Sequence, residues 1–466
     1  MLRNLLLLTL PLLITACSGT EFSADDQSGI TITVAGAAPG KVVLVSQYVE
    51  QQYQADTATA DASGTVRFQP EEPYEPGYYF AFYNDQSIVP LLLDEDQSFA
   101  VVTTAEDVIG DARVEGSLDN QLLYEGLKME EVLGPALATL VTHLQRTDAT
   151  DDEEAAEAGA QRDKLIAQRR DFYEKQFAEH PKTFYTAYMR ADLDPAIEDL
   201  RTASGQPDKA AQVRTYRRQF WDGIDFSDVR LLHTPVLHDK VNTYFDELTV
   251  QRSDSVIAAI DELLGRVEAY PAYQRALAQA LTLHFRPGQS ELMDPEAVFV
   301  HMVRTYYTRE RADYMDSMQV YSLQNQAAMM EKSLLGEPGP RISVPGLNGQ
   351  PQAVYAERDP YLIVYIYNPE CDHCIEETPK LLEWSQERPD AGVYALALGT
   401  TDEKWRAFVK EFGLQSWTNV HDPSDQAIYR TYYVDSTPEM YVLGPDRTII
   451  GKNLTTEELN DILPPR

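Results

Sequence analysis

The chain has 466 residues, 43% of them hydrophobic, and a formal net charge of −35 from 74 Asp and Glu against 39 Lys and Arg. That length exceeds one ordinary domain and implies about three, each with enough apolar residues for a packed core. The acidic balance excludes the basic footprint that nucleic-acid binding needs and fits a soluble, self-repelling surface.

Taken in chain order, Arg3 supplies a positive start, and Leu5 to Ile14 is an apolar stretch too short to span a bilayer as a mature helix. Ile14-Thr15-Ala16-Cys17 follows, with a small residue at the bond to be cleaved and a thiol able to take a diacylglycerol. This segment resembles a bacterial lipobox. The resemblance implies a signal peptide over 1–16, a lipidated Cys17 at the mature N-terminus and a tether over 17–28. A plain secretory signal with an incidental Cys is the other reading. The lipobox expectation places the chain in the cell envelope, lipid-anchored to the inner or outer membrane, with its domains in the periplasm or outside. No other segment is apolar enough to span.

From 29 to 120 the pattern is that of a β-sandwich-like module. Ile30 to Val34 alternates with period two, Val42 to Val45 follows Pro39-Gly40, and Thr65 to Phe68 follows the turn Ala62-Ser63-Gly64. Tyr78 to Tyr83, Pro90 to Leu93 and Phe99 to Val102 continue the short strands, and the stretch from Val114 to Asn120 closes the module. It carries no catalytic constellation, and its aromatics read as core. The layout is similar to an uncharacterised β module that precedes envelope redox domains.

Residues 121–335 read as an all-α middle domain. Arg162 to Phe177 has helical spacing, Val256, Ile257, Ile260, Leu263 and Leu264 mark one apolar face, and Ala297 to Met318 predicts a further helix. Asp151 to Glu154 reads as a solvated loop or frayed helix start. His233 and His238 flank Pro235 without a close acidic third ligand, so no metal site is expected there. The stretch from Trp221 to Leu232, with Thr234-Pro235, Tyr244-Phe245 and Asp254-Ser255, resembles a helical domain of envelope lipoproteins that has no assigned chemistry.

Gly336 to Pro340 has the composition of a linker, and 336–466 forms the last domain. Tyr361 to Tyr367 is an apolar, β-branched and aromatic run that reads as a buried strand. Asn368-Pro369 ends it, and Cys371 and Cys374 follow at C-x-x-C spacing where a helix begins. Unpaired backbone N–H groups and the positive dipole end at a helix N-terminus favour the thiolate, the reactive form of a thiol. Cys371, nearer the helix start, is therefore the expected nucleophile and Cys374 the resolving thiol. Zinc needs four ligands, and the chain's remaining cysteine is Cys17, so a redox pair is the better reading of the motif. His373 has two readings, an imidazolium that lowers the Cys371 pKa or a solvent-facing spacer, while the charge of Asp372 works the other way. After the helix come a strand at Val393 to Leu398 and a helix with Trp405, Phe408, Val409 and Phe412 on its buried side, opened by a capping box at Thr400 and Glu403. Trp417 to Val420, Glu439 to Leu443 and Thr448 to Ile450 complete the strands.

These residues resemble the thioredoxin superfamily, and within it the TlpA/ResA-like envelope oxidoreductases, over about residues 340–466. Ile342 to Gly349 is similar to the short N-terminal hairpin of those domains. Pro379 stands where that family kinks its active-site helix, Glu377 matches an acidic residue beside the thiols, and Ser436-Thr437-Pro438 looks like its cis-proline loop. Glu370 replaces the usual Trp before the first Cys, and Tyr365 stands where cytosolic thioredoxins keep a buried Asp. Asn368 occupies the position where a peroxiredoxin carries Thr, so a peroxidase fits less well. The resemblance implies a C-terminal α/β thioredoxin fold and a membrane-anchored thiol–disulfide oxidoreductase, leaning towards reduction. Thr437 and Pro438 would hold the substrate backbone, and His373 and Glu377 would tune the thiols. Its partners would be protein thiol or disulfide substrates and a redox partner protein, with no dissociable cofactor, no metal and no nucleic acid. The alternative from another class is a surface or periplasmic binding lipoprotein in which this domain is mainly a scaffold.

Overall fold

The alternation that begins at Ile30 is used as the sequence predicts, with Ile30, Ile32 and Val34 fully buried and the residues between them half-exposed. The structure, a computed structural model, describes residues 29–83, 87–146, 152–429 and 431–465, so the expected signal peptide, tether and Cys17 lie outside the described residues. The described chain divides into two units, one of residues 29–46 and 53–185, the other of 47–52 and everything from Thr186 onward.

The first unit holds eight strands: β1 (Ile30–Ala35), β2 (Gly40–Tyr48), β3 (Gln51–Ala60), β4 (Thr65–Phe68), β5 (Gly77–Phe82), β6 (Ile88–Leu93), β7 (Phe99–Thr104) and β8 (Arg113–Glu115), with the tip of the β2–β3 hairpin counted with the second unit. They form two four-stranded sheets, β4-β1-β7-β8 and β3-β2-β5-β6. Ile32, Val42, Leu44, Val66, Leu91 and Val101 are among the residues that fill one core from both sheets. Strand β3 escaped sequence reading because most of its residues are exposed and polar, so no apolar alternation marks it. Two long helices follow, α1 (Leu118–Arg146) and α2 (Asp152–Glu179), and they group with the β module rather than with the later helices. The buried Asn120 explains part of that attachment: its side chain accepts from Leu92 N–H at 2.8 Å and donates to Leu92 C=O at 2.7 Å, completing a strand's backbone pairing from a helix. Helix α3 (Phe184–Asp192) begins on the same unit, where Tyr185 N–H donates to Asp119 at 2.7 Å.

The second unit contains α4 (Lys209–Gln219), α5 (Val236–Asn242), α6 (Ser253–Arg266), α7 (Pro271–His284), α8 (Pro295–Tyr306) and α9 (Ser317–Met330). On α6 the predicted apolar stripe is buried, with Ile257 only half covered. The single helix expected over 297–318 is two helices. Tyr306 ends α8, and an Asp316–Gln319 capping box starts α9, which satisfies the orphan N–H groups of a new helix. Strands β9 (Ser343–Pro345) and β10 (Pro351–Ala353) form the short hairpin.

Beyond it come β11 (Tyr361–Tyr367), α10 (Asp372–Glu387), β12 (Ala391–Ala397), α11 (Asp402–Glu411), β13 (Thr418–His421), α12 (Gln426–Tyr429), β14 (Glu439–Leu443), β15 (Ile449–Lys452) and α13 (Leu459–Ile462). The sheet order is β13-β12-β11-β14-β15, with β12 parallel to β11 and β14 antiparallel to it. Alternate residues of the central strand β11 feed two cores, Ile363, Tyr365 and Tyr367 on the α10 face and Leu362, Val364 and Ile366 on the other. A strand covered on both faces reads as a continuous apolar run, as Tyr361 to Tyr367 does. The cap of α11 is Thr401, which accepts from Lys404 N–H at 3.3 Å, one residue later than the expected Thr400. Thr400 instead turns its carbonyl to His421.

The segment Gly336 to Pro340 is not a free linker. Gly336 N–H donates to Ile449 C=O at 2.9 Å, Ile449 N–H to Glu337 C=O at 2.9 Å, and Gly339 N–H to Arg447 C=O at 2.8 Å. Its glycines and prolines run along β15 and tie the helices before it to the sheet after it. The architecture is thus an N-terminal β module, a helical middle region and a C-terminal α/β fold.

Candidate redox site

The strand β11 delivers the chain to the end of the sheet, where Asn368-Pro369 turns it into α10. Cys371 is the N-cap residue of that helix, with extended backbone angles (φ −92°, ψ 124°), which places its side chain at the end where the first-turn N–H groups are unpaired. Cys374, one turn later, is fully buried in the core between α10 and the sheet. Both cysteines are free thiols, and Cys371 is the one partly open to solvent.

The two sulfurs have opposed electrostatics. Burial opposes ionisation of Cys371, but the N–H and thiol of Cys374, the Thr437 hydroxyl and the His373 N–H all donate to its thiolate. Their sum holds its pKa below the ordinary thiol value. Burial pushes the Cys374 thiol up to about 12, against the donation of Asn368 N–H to its sulfur at 3.4 Å. One thiol is thus poised to ionise and the other to keep its proton.

Facing them is the start of β14. The Thr437–Pro438 peptide is cis, and the Cys371 thiol donates to the Thr437 carbonyl at 3.2 Å. The structure therefore brings Cys371, Cys374, Thr437 and Pro438 into one place. The His373 side chain is exposed, and its contribution to Cys371 comes from its backbone N–H, which any residue other than proline would supply. Glu377 is buried one turn beyond Cys374, but its carboxylate is occupied elsewhere: it accepts from Thr456 N–H at 2.7 Å and from Lys380 Nζ at 3.2 Å. Burial works against its charge, yet those donors keep its pKa below the usual carboxylate value.

Two supporting residues, Thr378 and Lys404, were not singled out from sequence; they partner Tyr365 and Glu370. Tyr365, in place of a buried Asp, hydrogen-bonds Thr378 Oγ1 at 2.9 Å and donates to the Cys374 carbonyl at 3.4 Å, while Thr378 donates to the same carbonyl at 2.7 Å. Its ring stacks on Tyr367 with centroids 5.2 Å apart. The two tyrosines form an aromatic floor beneath the buried thiol, with no ionised group of their own at that point. Glu370, in place of the usual Trp, forms an ion pair with Lys404 at 2.5 Å and so ties the loop before Cys371 to α11. The substitution of Tyr and Glu at these positions was visible in the sequence; the partners they found were not.

Two family models match, both described as domains of unknown function: DUF4369 over residues 29–123 and DUF5106 over residues 209–333. No curated protein matches the chain. Among solved structures, the chain is similar to a thioredoxin-like protein from Bacteroides caccae at 16% identity, covering 58% of this chain and 96% of that one, with a TM-score of 0.49. It is also similar to a domain of a possible thiol-disulfide isomerase from Cytophaga hutchinsonii, 31% identical over 28% of this chain and 89% of that one, TM-score 0.26. A thiol-disulfide oxidoreductase from Bacteroides fragilis is 22% identical, with 27% of this chain and 100% of that one covered and a TM-score of 0.25.

The opposed thiols give a direct expectation. In the reduced native protein, alkylation by iodoacetamide should modify Cys371 alone near neutral pH, its rate rising with pH to a midpoint below the ~8.5 of a free thiol. Cys374 should react only once the chain is unfolded. Mass spectrometry across about pH 5 to 10, the span of thiol ionisation, reads both sites; equal labelling of the two would contradict the assignment.

Proposed function

We propose that the protein is a thiol–disulfide oxidoreductase of the bacterial cell envelope, with a C-terminal thioredoxin-like domain of the ResA-like kind, that reduces protein disulfides. The observation that carries the reading is the partly open Cys371 at a helix N-terminus, 3.2 Å from the carbonyl of Thr437 at the head of β14. That arrangement joins an ionisable nucleophile to a strand end on which an extended polypeptide can pair.

In the proposed reaction the Cys371 thiolate attacks one sulfur of a substrate disulfide. A Cys371–substrate bond forms, the substrate S–S bond breaks, and the leaving sulfur departs as a thiolate that takes a proton. Ionisation of Cys371 removes the S–H donor from the Thr437 carbonyl, leaving that oxygen free to accept from a substrate N–H, in the main-chain docking mode of strand addition. Cys374 then loses its proton and attacks Cys371 Sγ, releasing the second substrate thiol. The negative charge of Cys371 is one cause of the raised Cys374 pKa, and formation of the mixed disulfide removes it, so Cys374 becomes easier to ionise when its turn comes. The departing substrate thiolate is a base of the right strength to receive that proton. The chain ends oxidised by two electrons, and a dithiol partner protein restores it. Glu377, fixed by Thr456 and Lys380, adds a stationary negative charge behind the resolving thiol rather than a proton acceptor in contact with it.

Attachment to the membrane rests on the lipobox at Cys17. Among the described residues no helix is long and apolar enough to cross a membrane.

Cys371→Ser is expected to bring insulin-disulfide reduction with dithiothreitol down to the rate without protein, with the fold kept, as judged by circular dichroism. Full activity in that variant would refute the assignment. Cys17→Ser, expressed in a bacterium, should move the protein from the salt-washed membrane fraction to the soluble one, since stable anchoring takes more than one acyl chain. Unchanged membrane association would rule out the lipid anchor.

A further inference from the structure

Lys452, the last residue of β15, is 0% exposed, an unusual place for an ammonium. Its partners come from the helical region. Lys452 Nζ lies 2.9 Å from Glu296 Oε2 and 3.4 Å from Asp294 Oδ1, both acids being almost fully buried at the start of α8, and it donates to the Ser333 carbonyl at 3.2 Å. The neighbouring Asn453 donates to the same Glu296 at 3.3 Å and to the Met293 carbonyl at 3.2 Å, and Asp294 Oδ2 accepts from Leu335 N–H at 2.6 Å.

The other side of this group is the strand that carries the substrate-docking residues. Glu439, the residue after Pro438, is 7% exposed, faces Lys452 and receives a backbone N–H from Asn453. One of its carboxyl oxygens has no hydrogen-bond partner. Burial raises Glu439 to about 8 against the pull of the Lys452 ammonium, and burial raises Glu296 as well. Tyr441 OH donates to the Tyr433 carbonyl at 2.6 Å, and Tyr433 N–H donates to Ser333 Oγ at 3.1 Å, which holds the loop before Thr437 against the end of the helical region. Nearby, Gly288 between α7 and α8 approaches so close to Asp435 that a Cβ there would come within 2.5 Å of its carboxylate.

We infer that the buried ion group of Lys452, Asp294 and Glu296 is a positioning device for β14, through which the helical region sets the place of Thr437 and Pro438 opposite Cys371. An ion pair removed from water is orientation-dependent, and breaking it strands a charge, so the group holds its two elements in one register. The line of contact runs from α8 to Lys452, across β15 to Glu439 and Tyr441, and along β14 to the carbonyl that meets the nucleophile. On this account the helical region is part of the redox site's architecture. The inference deepens the oxidoreductase reading and rests on it for its functional consequence.

The test uses the full chain with Glu296→Gln, which keeps the shape and an acceptor for Asn453 but removes the charge at 2.9 Å, and with Lys452→Met. Asp390→Asn serves as the control, because it breaks the half-buried Arg388–Asp390 pair at the far end of α10. Glu296→Gln should raise KM for a protein disulfide by about fivefold while kcat/KM for a small aromatic disulfide stays within about twofold, the split expected when docking and not chemistry is disturbed. The pH profile of Cys371 alkylation should shift as well, because the Thr437 groups that contact its sulfur move. Asp390→Asn should lower the melting temperature and leave both readouts unchanged. If Glu296→Gln folds and its KM values and alkylation profile superimpose on wild type, the positioning role is wrong. If Lys452→Met fails to fold, Glu296→Gln decides alone. Absence of any disulfide turnover in the wild-type chain would strike the oxidoreductase reading instead, and the alkylation profile, which needs no turnover, would still decide the positioning.

Discussion

The redox site depends on holding the first turn of α10 against the head of β14, two segments whose contacting residues, Cys371 and Thr437, lie 66 positions apart. Neither segment has the chemistry alone. The helix start lowers the cost of a thiolate on Cys371 by offering N–H donors, and the strand head supplies an acceptor for its proton. The sheet makes the meeting reliable, since β11 leads directly into α10 and also pairs with β14 from Leu362 to Ile366. A one-residue slip in that pairing would send Met440 to the wrong face and carry Thr437 away from the sulfur.

The same meeting separates the two thiols. Cys371 sits at the rim, where donors outweigh burial, and Cys374 sits one turn inward, where burial wins. Two identical side chains three residues apart therefore take different parts, and the difference is set by depth below the surface. The tyrosines at 365 and 367 sharpen it. They line the buried thiol with aromatic rings, and Tyr365 and Thr378 tie its carbonyl, leaving the sulfur with the Asn368 N–H and the Thr437 hydroxyl as polar contacts from the strand ends.

Local signals carried far in this sequence. The buried strand, the cysteines at a helix start and the Thr-Pro before a strand each depend on neighbouring residues, and so each could be read where it stands. The β module was legible for the same reason wherever one face was apolar, and β3 was lost because neither face is. What could not be read was pairing at a distance. Gly336 to Pro340 has a linker's composition, but its backbone is fixed by residues 447–449, which composition does not encode. Lys452, Asp294 and Glu296 look like three ordinary surface charges among many until the fold buries them together. Glu377 shows the converse case. Its position beside the thiols was legible, yet Thr456 and Lys380 decide which way its carboxylate points. Helix α2 was recognisable from the spacing of Arg162 to Phe177, while the start of α1 was read as the end of the β module, and the Asn120 bonds to Leu92 join residues far apart in the chain.

In the proposed mechanism Cys371 forms a covalent bond with a substrate sulfur that Cys374 then breaks. The most direct measurement is to express the full chain with Cys374→Ser in its own envelope, quench with acid, and separate the disulfide-linked species before and after reduction. The account predicts discrete mixed disulfides that contain Cys371, vanish on reduction and are absent when Cys371 is also replaced by Ser. A Cys374→Ser chain that carries no reducible adduct, while the wild type still reduces protein disulfides, would contradict it.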